Sequence, residues 1–145
     1  MSFTGNLLKG VATYLAAGGV GVYQPNGTYP AGTDSAIFLG DMPGSPDRLI
    51  VLTAYPVDDA PALSDSTVGL QVRTRGVPSS AGSVDTLDDA VFDRLHGVHG
   101  LTVGGVRIVQ AHRRSGASMG IDGNRRHGRT SNYYLTVHRP SQHRS

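Results

Sequence analysis

An uninterrupted apolar run at residues 48–55 constrains the fold of this chain more than any other feature. It reads Arg-Leu-Ile-Val-Leu-Thr-Ala-Tyr, which suits an interior strand that is buried on both faces. In residues 67–75, apolar and polar side chains alternate, which is typical of a half-buried strand. The polar face of that second strand carries Gln71, Arg73 and Arg75. A chain with these two segments must build a β-sheet.

Two amphipathic segments predict helices that cover this sheet. Residues 3–17 place apolar side chains at i, i+4 and i+8, and Gly18-Gly19 would end the helix. Residues 84–96 carry a second apolar stripe, with Ser83 as a candidate N-cap and Gly97 as the stop. Asp85, Asp88 and Asp89 would then favour the positive N-terminal end of the second helix.

The remaining segments complete a two-layer fold. Residues 36–39, 105–112 and 130–138 are further strand candidates, and residues 113–129 are expected to form a long loop that contains four Gly and five Arg. The fold class is therefore predicted to be α+β, a mostly antiparallel sheet of about four to five strands with two helices packed on one face. We expect one domain over residues 1–139, followed by a short polar tail, residues 140–145.

Composition excludes several classes of protein. There is no run of about 18 apolar residues, so we expect no membrane span, and Met1–Asn6 lacks the basic start of a secretory signal. The absence of cysteine excludes disulfides, thiolate metal sites and a cysteine nucleophile. Leu, Ile, Val and Phe make up about 23% of the chain, just above the roughly 20% below which chains rarely fold. A modest core is therefore expected, with help from neighbouring subunits.

Charge is distributed unevenly along the chain. Residues 1–105 hold five basic residues and ten Asp, whereas residues 106–145 hold eight Arg and only Asp122. This asymmetry indicates either head-to-tail contact between like subunits or one basic face for an anionic partner. The simpler alternative is that the C-terminal 40 residues lie on the surface.

Motifs for catalysis and for metal or nucleotide binding are weak. Gly116-Ala-Ser118-Met-Gly120 matches a hydrolase pattern, but turn residues rather than a helix follow it, so a flexible loop is favoured. Gly19-Val-Gly21 follows a helix and lacks the third glycine of a dinucleotide loop. His96 and His99 are separated by Gly97, and no acidic residue joins them at ligand spacing. Neither an active site nor a cofactor is predicted.

The arginines of the C-terminal segment are the strongest chemical signal. Guanidinium groups match phosphate geometry, which would suit nucleic acid, but only Tyr133 and Tyr134 offer stacking nearby, so sequence-specific binding is not expected. Protein interfaces also favour arginine, and subunit contact competes equally. The set consists of Arg107, Arg113, Arg114, Arg125, Arg126 and Arg129.

Several of these segments together resemble a known family. Val68–Gly76, the helix Asp89–Gly97, the basic segment with Gly120–Asp122 and Arg125-Arg126, and the final strand Ser131–Val137 occur in this order. In these features the chain resembles the tail terminator proteins of long-tailed actinobacteriophages, also called minor capsid or head–tail joining proteins. The resemblance spans most of residues 1–139.

The resemblance implies a structural virion protein and no enzyme. Such proteins share an α+β fold and assemble into a six-membered ring that caps the tail tube, ends its polymerisation and docks the head connector. The implied partners are further copies of the chain, the tube protein, the head-completion protein and viral DNA, which passes through the bore without sequence-specific binding. The implied location is the head–tail junction of the virion, with assembly in the host cytoplasm.

The family pattern places candidate contacts with the ring, tube or connector on the second strand and on the basic segment. They are Gln71, Arg73, Arg75, Arg107, Arg113, Arg114, Arg125, Arg126 and Arg129. Two alternatives remain open: another connector subunit of the same particle, either head-completion or tube-like, and a small basic nucleic-acid-binding protein.

Overall fold

Residues 2–144, which the computed structural model describes, form two helices and seven strands. The elements in chain order are α1 Phe3–Ala17, β1 Val22–Tyr23, β2 Ala36–Leu39, β3 Leu49–Asp58, β4 Asp65–Pro78, α2 Ala81–Leu95, β5 His99–Val103, β6 Val106–Ile121 and β7 Arg126–His138.

All seven strands join one mixed sheet in the order β1-β2-β3-β4-β7-β6-β5. The β1–β2 and β2–β3 pairs are parallel, and the other four pairs are antiparallel. The α+β class is confirmed, but a mostly antiparallel sheet of four to five strands is wrong. Strand β1 has only two residues, which is too few for a sequence pattern to reveal it. Because β1–β2 and β2–β3 are parallel pairs, the connections that lead into β2 and β3 must return along the sheet before the next strand begins.

The predicted loop at residues 113–129 is also wrong, because most of it forms the two arms of the β6–β7 hairpin. Three register shifts interrupt the pairing of β6 with β7, and each shift moves the following side chains to the opposite face. In addition, residues 114–121 of β6 are exposed, so this part of the strand needs no apolar alternation. Both effects remove the periodicity by which a strand is recognised.

One apolar core lies between the helices and one face of the sheet, as predicted. Leu7, Val11 and Leu15 of α1 and Val91 and Leu95 of α2 belong to the same buried cluster. This cluster also takes in the core-facing side chains of all four long strands. The shared core fixes both helices on the same side of the sheet. Neither helix among residues 2–144 is long and apolar enough to cross a membrane.

The capping residues set where the two helices begin. The Ser2 hydroxyl accepts the Gly5 N–H at 2.9 Å and begins α1, whose predicted span of residues 3–17 is confirmed. Helix α2 begins three residues earlier than predicted, because the Ser80 hydroxyl rather than that of Ser83 is the N-cap. Since the helix starts at Ala81, the aspartates expected at its positive end lie beyond the first turn.

The end of the tail is folded against the β3–β4 turn. The Arg144 guanidinium donates to the carbonyl oxygens of Leu63 and Asp65 and to the Ser66 hydroxyl. The Arg139 N–H donates to the Ser64 carbonyl at 2.7 Å. These bonds let a segment that is too short to fold alone take a defined place.

The turn between β5 and β6 lies directly against α1. A Cβ atom placed on Gly104 would lie 2.1 Å from the carbonyl oxygen of Asn6, whereas one on Gly105 would meet nothing within 4 Å. Both glycines have positive φ, +55° and +75° respectively.

We therefore predict that Gly104→Ala destabilises the protein more than Gly105→Ala. Both substitutions carry a left-handed backbone penalty of about 1–2 kcal/mol, but only Gly104→Ala adds a steric conflict, which costs about 1–3 kcal/mol more. Urea unfolding of the two variants measures the difference. Equal losses of stability would show that α1 does not rest on this turn as described.

Candidate assembly surfaces

Arg75 is a buried clamp rather than a surface contact. Its side chain is 5% exposed, and its guanidinium donates to the carbonyl oxygens of Asp47 (2.8 Å), Pro43 (2.8 Å) and Pro46 (2.7 Å). Burial lowers the pKa of Arg75, and the nearby Arg126 cation lowers it further. A guanidinium nevertheless stays charged in proteins. Through its three hydrogen bonds, Arg75 holds the segment 43–47 against the sheet face that the helices do not cover.

Arg126 lies beside Arg75 and is equally buried, at 5% exposure. It donates to the Gly44 carbonyl (2.6 Å), to Asp47 Oδ1 (3.0 Å) and to Asp122 Oδ2 (2.9 Å). The pKa of Asp122 is lowered, first by the backbone N–H of Arg126 and also by that of Asn124. The Asp122 carboxylate therefore stays charged to lower pH than an ordinary one and orders the β6–β7 turn.

A second pair of arginines meets a buried carboxylate on the opposite, helix-covered face. Asp88 of α2 is 1% exposed and accepts a hydrogen bond from the Ser131 hydroxyl at 2.8 Å. Its Oδ2 lies 3.6 Å from Arg113 Nη1 and 3.5 Å from Arg129 Nε, which are ion-pair distances. Burial raises the pKa of the adjacent Tyr133 hydroxyl, and the Asp88 charge raises it further. This cluster ties α2 to β6 and β7.

The uneven charge distribution is partly neutralised within the chain. Arg113, Arg126 and Arg129 of the C-terminal segment pair with aspartates of the N-terminal part, so these three need neither a subunit contact nor an anionic partner to explain them. The pairs that join the two parts are Arg113–Asp88, Arg129–Asp88, Arg129–Asp85 and Arg126–Asp47.

The other predicted contact residues lie apart from these two clusters. Arg73 is half-buried and donates to the Gly40 carbonyl at 2.8 Å. Arg107, Arg114 and Arg125 are exposed on the β6–β7 hairpin. Arg107 and Arg114 make no ion pair within residues 2–144. The nine residues therefore do not form one surface.

Gln71 belongs to an open sheet face, whose extension beyond β4 was not predicted. Gln71 pairs in register with Asn132, and the Tyr55 hydroxyl donates to Asn132 Oδ1 at 3.3 Å. The Tyr55 ring lies directly over Gly69, and Tyr134 lies on the same face. These side chains are polar and uncharged. The alternation within Ser131–Val137 was the signal that could have found this face.

The outer part of β6, residues 114–121, is exposed at every position. Up to Arg113 its edge is covered, because the Arg113 N–H donates to His96 Nδ1 at 3.0 Å and Ala111 bonds to Gly97 and Val98. Residues 114–121 have no strand beyond them, since β5 pairs with β6 only as far as Gln110.

Large apolar side chains lie on this uncovered part of β6. Met119 is 51% exposed and Ile121 is 56% exposed. With Met42, they line a cavity of about 120 Å³ whose other walls include Arg75 and Arg126.

The weak catalytic and metal motifs gain no support from the geometry. Ser118 lies within β6, opposite Arg129, and its hydroxyl accepts the Gly120 N–H at 3.2 Å, so it is not on a nucleophile turn. Within residues 2–144, no group of three or more His, Asp or Glu side chains is placed to hold a metal ion.

The family profile described as bacteriophage tail terminator protein matches residues 14–139. The chain belongs to the bacteriophage tail terminator family. The resemblance seen in the sequence is therefore confirmed, and the chain is a structural protein of a phage tail in a family that is not enzymatic. This membership also places it in the virion.

Among solved structures, a similar fold occurs in a phage-like particle. The matching chain comes from the virion of a native gene transfer agent particle, with a TM-score of 0.64, 16% identity, and coverage of 94% of this chain and 98% of that one. At this identity the likeness shows the fold alone. A comparison with curated protein sequences finds no significant match.

We predict that Asp88→Asn destabilises this tail terminator family member by about 2 kcal/mol. The amide keeps an acceptor for Ser131 but leaves two arginines without their counter-charge. Breaking a fully buried ion pair costs roughly 3–5 kcal/mol of stability, and the loss here is smaller because both arginines are about one-third exposed. The neighbouring Asp89→Asn, on the exposed side of α2, is the control. Urea unfolding compares them, and equal stability of the two variants would contradict a role for Asp88 in holding the hairpin.

Proposed function

We propose that six copies of this chain form a ring that caps the tail tube, stops its polymerisation and offers the head connector a docking surface. DNA passes through the bore of the ring, at the head–tail junction of a virion that assembles in the host cytoplasm. The observation that carries the proposal, beside the family match, is the uncovered part of β6.

An edge strand of this kind needs a neighbour. Unpaired backbone groups and exposed apolar side chains on a long edge promote uncontrolled aggregation, and proteins usually shorten, charge or cover such edges. Residues 114–121 are not shortened, and they carry Met119 and Ile121. A closed ring covers such a surface in every copy and leaves no free end. The modest core, which neighbouring subunits would supplement, favours the same arrangement.

The alternative of a nucleic-acid-binding protein is disfavoured by the use of the arginines. Arg75, Arg113, Arg126 and Arg129 are held by carboxylates or carbonyl oxygens of their own chain. They form no row of free cations that could neutralise successive phosphates. Another connector subunit of the same particle remains the second candidate, and binding to the tube end separates it from a terminator.

The native mass of the purified protein tests the ring, alone and with tail tubes, alongside electron microscopy of both samples. We expect a species of about 91 kDa, six times the 15.2 kDa chain, and density at one end of the tubes. A ring that ignores tubes but binds the head side would favour the connector alternative. A chain that stays monomeric both alone and with tubes would contradict the ring.

We propose further that the open sheet face lines the bore. Tyr55, Gln71, Asn132 and Tyr134 offer DNA hydroxyl and amide groups but no cation, so DNA can slide past them without being held by its phosphates. Arg73 follows Gln71 on the same face of β4, and its guanidinium donates to the Gly40 carbonyl.

Gln71→Arg is expected to leave the ring intact and to slow DNA passage. Six added guanidiniums would grip the DNA backbone, so duplex binding by the isolated ring should rise with a steep salt dependence, and DNA ejection from particles should slow. Thr4→Arg adds the same charge on α1, on the other side of the sheet, and should change neither property. If both variants bind and eject DNA alike, the open face does not line the bore.

A further inference from the structure

We propose that neighbouring copies in the ring join through two hairpin ends of opposite charge. One is the turn patch, residues 57–64 between β3 and β4, and the other is the hairpin patch, residues 114–121 of β6 together with Arg125. The turn patch of one copy binds the hairpin patch of the next. This inference rests on the proposed ring and names the surfaces that build it.

The turn patch presents apolar and acidic side chains on a fixed backbone. Leu63 is 60% exposed and Val57 is 39% exposed, both high for large apolar residues. Asp58 and Asp59 are exposed and make no ion pair within residues 2–144. The hydrogen bonds from Arg144 to Leu63 and Asp65 order this turn before any partner arrives, which lowers the entropic cost of binding.

The hairpin patch has the complementary character. Met119 and Ile121 are about half exposed beside the cavity of about 120 Å³, which has room for one aliphatic side chain such as Leu63. Arg114 and Arg125 are exposed on either side of them in the sequence, and neither forms an ion pair within the described residues. An apolar anchor entering a pocket, with opposite charges around it, is typical of a specific interface.

Strand pairing places the two patches at opposite ends of the sheet. Asp65, next to the turn patch, pairs with His138 at one end. At the other end, Gly128 pairs with both Arg75 and Gly120, and Gly120 belongs to the hairpin patch. Two different surfaces at opposite ends of one subunit produce a head-to-tail contact, which closes into a ring when the rotation between copies allows it.

Charge reversal tests this contact. The turn variant carries Asp58→Arg and Asp59→Arg, and the hairpin variant carries Arg114→Asp and Arg125→Asp. Each variant alone should lose the ring and have the mass of a 15.2 kDa monomer, because its altered patch repels the unaltered patch of the next copy. Mixed in equal amounts, the two variants should restore a ring of alternating copies, since each patch then meets one of opposite charge.

A control variant separates this effect from a general effect of charge. Asp89→Arg with Lys9→Asp changes charges of both signs at exposed positions outside both patches and should keep the ring. The restored ring in the mixture also shows that each variant folds. A mixture that stays monomeric, or single variants that still form rings, would overturn the proposed contact.

The outcome for the unaltered chain distinguishes this inference from the proposed function. If unaltered chains form rings and cap tubes while both variants do so equally well, the ring stands and its contacts lie elsewhere. If unaltered chains remain monomeric with and without tubes, the ring itself fails, and this contact fails with it.

Discussion

Buried guanidinium groups determine where the C-terminal hairpin can lie. A charge removed from water must be paired or hydrogen-bonded, and Asp47 and Asp88, which pair with arginines of the hairpin, lie far away in the sequence. Asp88 of α2 holds β6 and β7 from the helical side. The segment 43–47 and Asp122 hold Arg75 and Arg126 from the open side. The hairpin is therefore fixed on both faces, although much of β6 is exposed.

This use of charge determines what remains available to partners. Because Arg75, Arg113, Arg126 and Arg129 are committed within the chain, the surfaces left open include uncharged polar side chains around Gln71 and two hairpin ends with modest opposite charge. Such surfaces suit a tail terminator. In the proposed ring, subunits need specific contacts with one another, while the proposed channel for DNA benefits from walls that do not bind phosphate.

The fold was predictable where one local pattern dominates. The stripe of α1, the uninterrupted apolar run of β3 and the alternation in β4 are each a clear local pattern, and the structure confirms all three elements. The outer part of β6 carries none, because bulges shift its register and its side chains are exposed on both faces. The pairing of Arg126 with Asp47 joins residues 79 positions apart, so residue type alone indicated only that Arg126 would seek an anion or a protein contact.

The central position of β7 has a consequence for how the chain folds. Strand β7 is synthesised after β6 yet lies between β4 and β6, and its end pairs with Asp65, 73 residues earlier. Until β7 emerges, the nascent chain holds two partial sheets, and β4 presents a long unpaired edge. Sheets that close through contacts so distant in sequence fold slowly. A chain interrupted before β7 would keep those unpaired edges and aggregate, so only copies that include β7 would be competent to join an assembly.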